Sequence, residues 1–221
     1  MNELKKKFID GLNNNKPQLL TKNLIADIET PISSLLKIKK KQKYSFLLES
    51  VEGGSQRGRY SLLGCDPDLI WKVDNNLASI KYNYENYNYE ISDQPMESLK
   101  NLIEFSKFDK DNIEVPYPIL VGYLGYPMIK FMEKILLKNN DNINIPDSVL
   151  IRPKIVAVFD NIKDTITLMT VVYPNGNKDY EITYKKAQEL LEFKVNQLKE
   201  NLIQKSAVTI KSNLNFESNY S

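Results

Sequence analysis

The feature that most constrains the fold lies late in the chain. Ser148 to Asp160 and Thr165 to Tyr173 are rich in Val, Ile and Thr, and the link between them, Asn161-Ile162-Lys163-Asp164, is polar but for one residue. Two β-forming arms around a short polar turn predict a β-hairpin. A hairpin alone is marginal in water, so the remaining chain must bring strands or a helix to cover it. Strand-like segments occur at 18–27, 44–50, 59–64, 69–73 and 78–84, the last alternating with period two. Asp66-Pro67-Asp68 reads as a turn between two of them.

Helical signals are interleaved with the strands. Residues 1–16 form a short opening helix and a turn. Thr30-Pro31 reads as a helix start, with Thr30 as N-cap and Pro31 at the first helical position. That helix runs from Ile32 to about Lys39 and is expected to bury Ile32, Leu35 and Leu36. Helical spacing recurs from Glu97 to Phe108 and from Met128 to Lys134. Asp179 caps a long amphipathic helix on which Ala187, Leu190, Leu191, Leu198 and Leu202 share a face. The fold class that follows is α+β, an antiparallel sheet or sandwich with flanking helices packed on one side.

Composition removes several kinds of chemistry. The chain has 221 residues, no His and one Cys. That leaves no ligand set for a usual zinc site and no Ser-His-Asp or Cys-His nucleophile. The lone Cys65 cannot form an internal disulfide and fits a reducing compartment. The net charge of +2 gives no reason to invoke nucleic acid. No apolar run approaches the ~20 residues that span a bilayer, and the opening segment lacks a secretory signal. A cytoplasmic protein without membrane or nucleic-acid partners is the expectation. The basic run Lys37 to Lys43 reads as a solvated connection.

The stretch Leu47 to Gly64 is the candidate site. Ser50 can hydrogen-bond a polar ligand and Glu49 can accept from an ammonium group. Arg57 and Arg59 carry guanidinium groups suited to a carboxylate. These are the parts of an amino-acid pocket, and equally those of surface salt bridges. Gly53, Gly54 and Gly58 match no phosphate-binding pattern and fit tight turns better. Gly122-Tyr123-Leu124-Gly125-Tyr126 marks a close backbone approach, against a ligand or a neighbouring strand or helix. Arg152, beside Pro153 at a strand start, fits either a domain contact or a surface charge.

The same residues carry a family resemblance. Leu47-Leu48-Glu49-Ser50, Gly53-Gly54, Arg57-Gly58-Arg59-Tyr60-Ser61-Leu62-Leu63-Gly64, Asp66-Pro67 and Trp71 together resemble the N-terminal region of anthranilate synthase component I. Asp27-Ile28-Glu29-Thr30-Pro31-Ile32-Ser33 looks like the segment before that family's first helix. Gly122 to Pro127 resembles its G-Y-x-G-Y-D run, with Pro127 in place of the acidic residue. Arg152-Pro153 and Val158-Phe159-Asp160-Asn161 are similar to its central hairpin. The resemblance covers the chain from about residue 18 onward.

The resemblance implies an N-terminal domain over 18–205, preceded by a polar segment with a short helix at 1–17. It also implies a linker at 206–221 toward a chorismate-binding domain. The full enzyme, a lyase, would convert chorismate to anthranilate and pyruvate at the start of tryptophan synthesis. It would use Mg²⁺ and ammonia from a glutamine amidotransferase subunit. The residues for chorismate and Mg²⁺ would lie in the domain beyond, so no catalytic or metal residue is expected here and the chain alone should be inactive. The family's feedback site for tryptophan carries over to Leu48, Glu49 and Ser50 by direct match, and to Pro31. Arg59 or Tyr60 would fill the place of a polar residue on the return strand. Two alternatives are an aminodeoxychorismate synthase component of folate synthesis and a stand-alone, non-catalytic amino-acid-binding module.

Overall fold

The computed structural model describes residues 3–41, 43–52, 56–82, 89–109, 113–135, 144–174 and 179–202. Along the chain come α1 (Glu3–Asn13), β1 (Gln18–Ile25), α2 (Pro31–Lys39), β2 (Ser45–Glu52), β3 (Gln56–Asp74), β4 (Leu77–Tyr82) and β5 (Tyr89–Ser92). They are followed by α3 (Pro95–Ser106), β6 (Val121–Leu124), a 3-10 turn (Tyr126–Phe131), β7 (Ser148–Asp160), β8 (Thr165–Val172) and α4 (Tyr180–Leu198).

The expected hairpin is present as β7 and β8, with Asp160 opposite Thr165. It is part of an eight-stranded antiparallel sheet. β3 and β7 lie side by side along most of their length, and each changes its outer neighbour halfway. In one half the order is β1-β8-β7-β3-β2; in the other it is β6-β7-β3-β4-β5. The two strands expected at 59–64 and 69–73 are one continuous strand, β3, and the expected turn at Asp66-Pro67-Asp68 is a bulge within it. Pro67 faces Pro153 and Leu69 faces Arg152, which makes Asp68 the extra residue. Asp66 takes a positive φ of 52°. These residues have turn propensity, but ladders on both sides keep the strand extended.

The bulge exchanges the two faces of β3. Before it, Leu63 and Cys65 join Ile155, Ala157, Phe159, Leu191 and Val195 in a core under α2 and α4. After it, Leu69, Trp71 and Val73 pack with Ala78, Ile80, Leu99 and Leu102 under α3. β7 reports the faces directly. Its odd residues from Ile155 to Phe159 lie under α4, while Val156 and Val158 pack on the opposite side with Tyr117 and Tyr173. The hydroxyl of Tyr173 donates to the Ser106 carbonyl at the end of α3. Helices therefore flank both faces rather than one. Full burial of each large apolar side chain contributes roughly 1.5–3 kcal/mol. α1 packs on α4 through Phe8, Leu12 and Tyr184.

Two polar anchors fix the layers. Lys194 of α4 is buried; it pairs with Asp66 of the bulge at 2.6 Å and donates to the Ile38 carbonyl at 2.9 Å. Lys37, expected in a solvated run, bonds Glu29 and the Leu198 carbonyl and ties α2 to the end of α4. α2 has the expected N-cap, and Thr30 and Ser33 form a reciprocal capping box. Its buried face, however, carries Pro31, Ser34 and Ile38, while Ile32 and Leu36 are 57% and 49% exposed. Arg152 is neither a surface charge nor a domain contact. It is 2% exposed and bonded to Asp68 through Nε at 2.8 Å and Nη2 at 3.1 Å.

Candidate functional site

The register places the candidate residues on one end of the sheet. Glu49 lies opposite Ser61, Ser61 opposite Phe159, Phe159 opposite Ile166, and Ile166 opposite Leu24. Ile25, Thr165, Asp160 and Tyr60 form the next row. Beyond Ile25 the chain turns and enters α2 at Pro31, which is buried. One end of the fold thus gathers Pro31, Leu48, Glu49, Ser50, Arg59 and Tyr60.

β2 is the outer strand here, and Leu48, Glu49 and Ser50 are all exposed on it. A second irregularity sits at these residues. Glu49 pairs with Ser61 and Val51 pairs with Arg57, so Ser50 alone faces Gly58, Arg59 and Tyr60. Bulges of this kind re-aim side chains. Gly53, Gly54 and the side chain of Arg57 lie outside the described residues.

Arg59 is already engaged. Its Nη2 lies 2.9 Å from Asp160 Oδ2, and its Nε reaches both carboxylate oxygens. Its guanidinium also sits 4.8 Å from the Tyr60 ring. Asp160 is 2% exposed and further accepts the backbone N–H groups of Ile162 and Lys163. Hydrogen bonding from Arg59 holds the Asp160 carboxyl below the usual carboxylate range. Glu49, by contrast, has no cation beside it among the described residues. Among the described residues, the exposed polar groups of β2 at this end are thus the Glu49 carboxylate and the Ser50 hydroxyl, beside the exposed Leu48.

Sequence reasoning missed Asp160, Asn161 and the role of Gly58. Asn161 donates through Nδ2 to the Gly58 carbonyl and through its backbone N–H to the Arg59 carbonyl, both at 2.8 Å. Paired polar residues at the exit of an apolar strand were the available signal. The Gly122 block proves to be a strand–strand approach: a Cβ at Gly122 would overlap the Val149 carbonyl of β7. A cleft of about 820 Å³ lies elsewhere, between α3 and β4–β5 over Arg152 and Tyr173, and no candidate residue lines it. Among the described residues no group of three His, Cys, Asp or Glu is placed to hold a metal ion. No described helix is long and apolar enough to cross a membrane.

No protein-family model matches the chain. Individual relatives do. Anthranilate synthase component 1 of Cereibacter sphaeroides is 34% identical over 191 residues, which covers 82% of this chain and 37% of the relative. The protein of the same name from Aquifex aeolicus is 30% identical over 178 residues, 80% of this chain and 35% of the relative. The crystal structure of anthranilate synthase component I from Streptococcus pneumoniae TIGR4 shares the fold with a TM-score of 0.53 at 22% identity, over 81% of this chain and 37% of that one. The chain belongs to the anthranilate synthase component I family, and spans little more than a third of the length of the relatives it matches.

Proposed function

We propose that this chain is the regulatory portion of an anthranilate synthase component I and presents one wall of a feedback site for tryptophan. The observation that carries this reading is the outer strand β2, where Leu48, Glu49 and Ser50 stand exposed against the bulge of β3 and at the same end of the sheet as Pro31. Glu49 takes the ligand's ammonium group and Ser50 a second hydrogen bond. Arg59 is held by Asp160 and orders the wall.

In the whole protein, chorismate and ammonia would give anthranilate and pyruvate in the cytoplasm. A glutamine amidotransferase subunit would deliver the ammonia, and Mg²⁺ would be held beyond this chain.

Titration of the isotope-labelled chain with L-tryptophan tests the binding role. Amide resonances of residues 48–50 and of the start of α2 should respond at millimolar concentration. A response confined to other parts of the sheet, or none, rejects it. The purified chain should also form no anthranilate from chorismate, Mg²⁺ and ammonia, and turnover would reject the regulatory assignment.

A further inference from the structure

Where three residues of β3 face one of β2, the regular pairing is interrupted, and carbonyl groups turned away from it need other donors. Asn161 supplies one of them from the far side of β3 and also extends the β3–β7 ladder by one rung. Its Nδ2 reaches the Gly58 carbonyl and its backbone N–H the Arg59 carbonyl, each at 2.8 Å. Both bonds come from one residue at the β7–β8 turn, next to Asp160, which grips the Arg59 side chain. The Nδ2 bond to Gly58 therefore ties the bulge to the hairpin.

Gly58 completes the arrangement. A Cβ built there would fall 2.5 Å from Ser50 Cβ and would overlap Ser50 Oγ. The Ser50 side chain lies across the glycine, in space that any other residue would fill.

We propose that Asn161 and Gly58 are positioning residues of the candidate site: Asn161 fixes the bulge, and the bare backbone at Gly58 sets where the Ser50 hydroxyl stands. This rests on reading Ser50 as part of a tryptophan site, but the placement of Ser50 is measurable without tryptophan.

The test compares amide resonances of Ser50 and Gly58 in the full chain, as wild type, Asn161→Ala and Asn161→Asp. The Asp variant keeps the size and removes the Nδ2 donor. Lys163→Ala, in the same turn, is the control. Both Asn161 variants should shift the two resonances and weaken L-tryptophan binding about five- to tenfold, as loss of one hydrogen bond would. Gly58→Ala should shift Ser50 further, and the control should change neither readout. Unfolding midpoints are recorded alongside. Ser50 and Gly58 resonances at wild-type positions in Asn161→Asp overturn the proposal, with or without a lowered midpoint. A wild-type chain that ignores millimolar tryptophan overturns the ligand reading instead, and the Ser50 resonances still decide this one.

Discussion

The guanidinium of Arg152 lies 3.7 Å from the centre of the Tyr173 ring, stacked on it while bonding the carboxylate of Asp68. Nη1 also donates to Ser106 Oγ at 3.1 Å, so one buried cation joins β7, the bulge of β3, the end of α3 and the end of β8. Such a pair is costly to bury and more costly to halve. Arg152→Met should therefore destabilise the chain by about 3–5 kcal/mol. The double variant Arg152→Met/Asp68→Leu should recover much of that loss. Urea unfolding of the three chains measures both; equal losses in single and double variants would remove the pair from the core's ion balance.

Alkaline conditions should weaken the fold. Burial pushes the Cys65 thiol up to about 12, outweighing the nearby Lys194 ammonium. The phenols of Tyr117 and Tyr173 are likewise raised by burial. Above pH ~8.5 the unfolded chain gives up the thiol proton and the folded chain keeps it, so the unfolded state binds fewer protons. The contribution is complete below that pH and lost as pH climbs toward the folded value. Urea midpoints should fall between pH 8 and pH 10.5, and iodoacetamide should label Cys65 only after unfolding. A flat midpoint or rapid labelling of native protein contradicts this.

Acid acts on the opposite sign at the candidate site. The folded Asp160 carboxyl is depressed chiefly by Arg59. Its stabilisation is present above pH ~4 and lost as pH falls through the folded value. The stability gap between wild type and Asp160→Asn should be wide at pH 6 and narrow by pH 3. A gap independent of pH would mean that the charge on Asp160 contributes nothing.

Gly122→Ala should cost about 1–3 kcal/mol, because the new methyl group meets the Val149 carbonyl. Circular dichroism melts would register the loss, and an unchanged midpoint would show that β6 moves aside freely.

In the full-length protein, Ser50→Phe should relieve inhibition by tryptophan and leave uninhibited turnover largely intact. Inhibition curves on the two proteins decide it; unchanged inhibition takes Ser50 out of the site.

The β7–β8 hairpin and the α2 cap were legible because their signals are local: β-branched arms around a polar turn, and Thr-Pro at a helix start. What escaped depends on distant partners. Asp66-Pro67-Asp68 has every mark of a turn, yet the ladders to β7 on either side of it hold it in a strand. α2 offers two stripes at helical spacing, and the one with Ser34 turns inward, where its hydroxyl lies within 3.5 Å of Glu29 Oε2. Arg152 could be read only as a domain contact or a surface charge because its counterion stands 84 residues away. At the candidate site, the motif puts Leu48, Glu49 and Ser50 forward, and the register adds that they stand exposed on the outer strand. Asn161 could not be given a role, because its two bonds cross to a strand about a hundred residues earlier.

Pro67 and Pro153 face each other across the two central strands. Neither has an N–H to give, so the ladder is crossed there by a line without donors, a crease in the sheet. Everything on the far side of the crease, from the second half of β3 through β4, β5, α3 and β6 to the first half of β7, is one unbroken length of chain. It leaves and returns at adjacent points. That length is nonetheless not autonomous: Arg152 and Tyr117 within it stack and pack on Tyr173 at the end of β8, so side chains carry across the crease the coupling that the backbone there lacks.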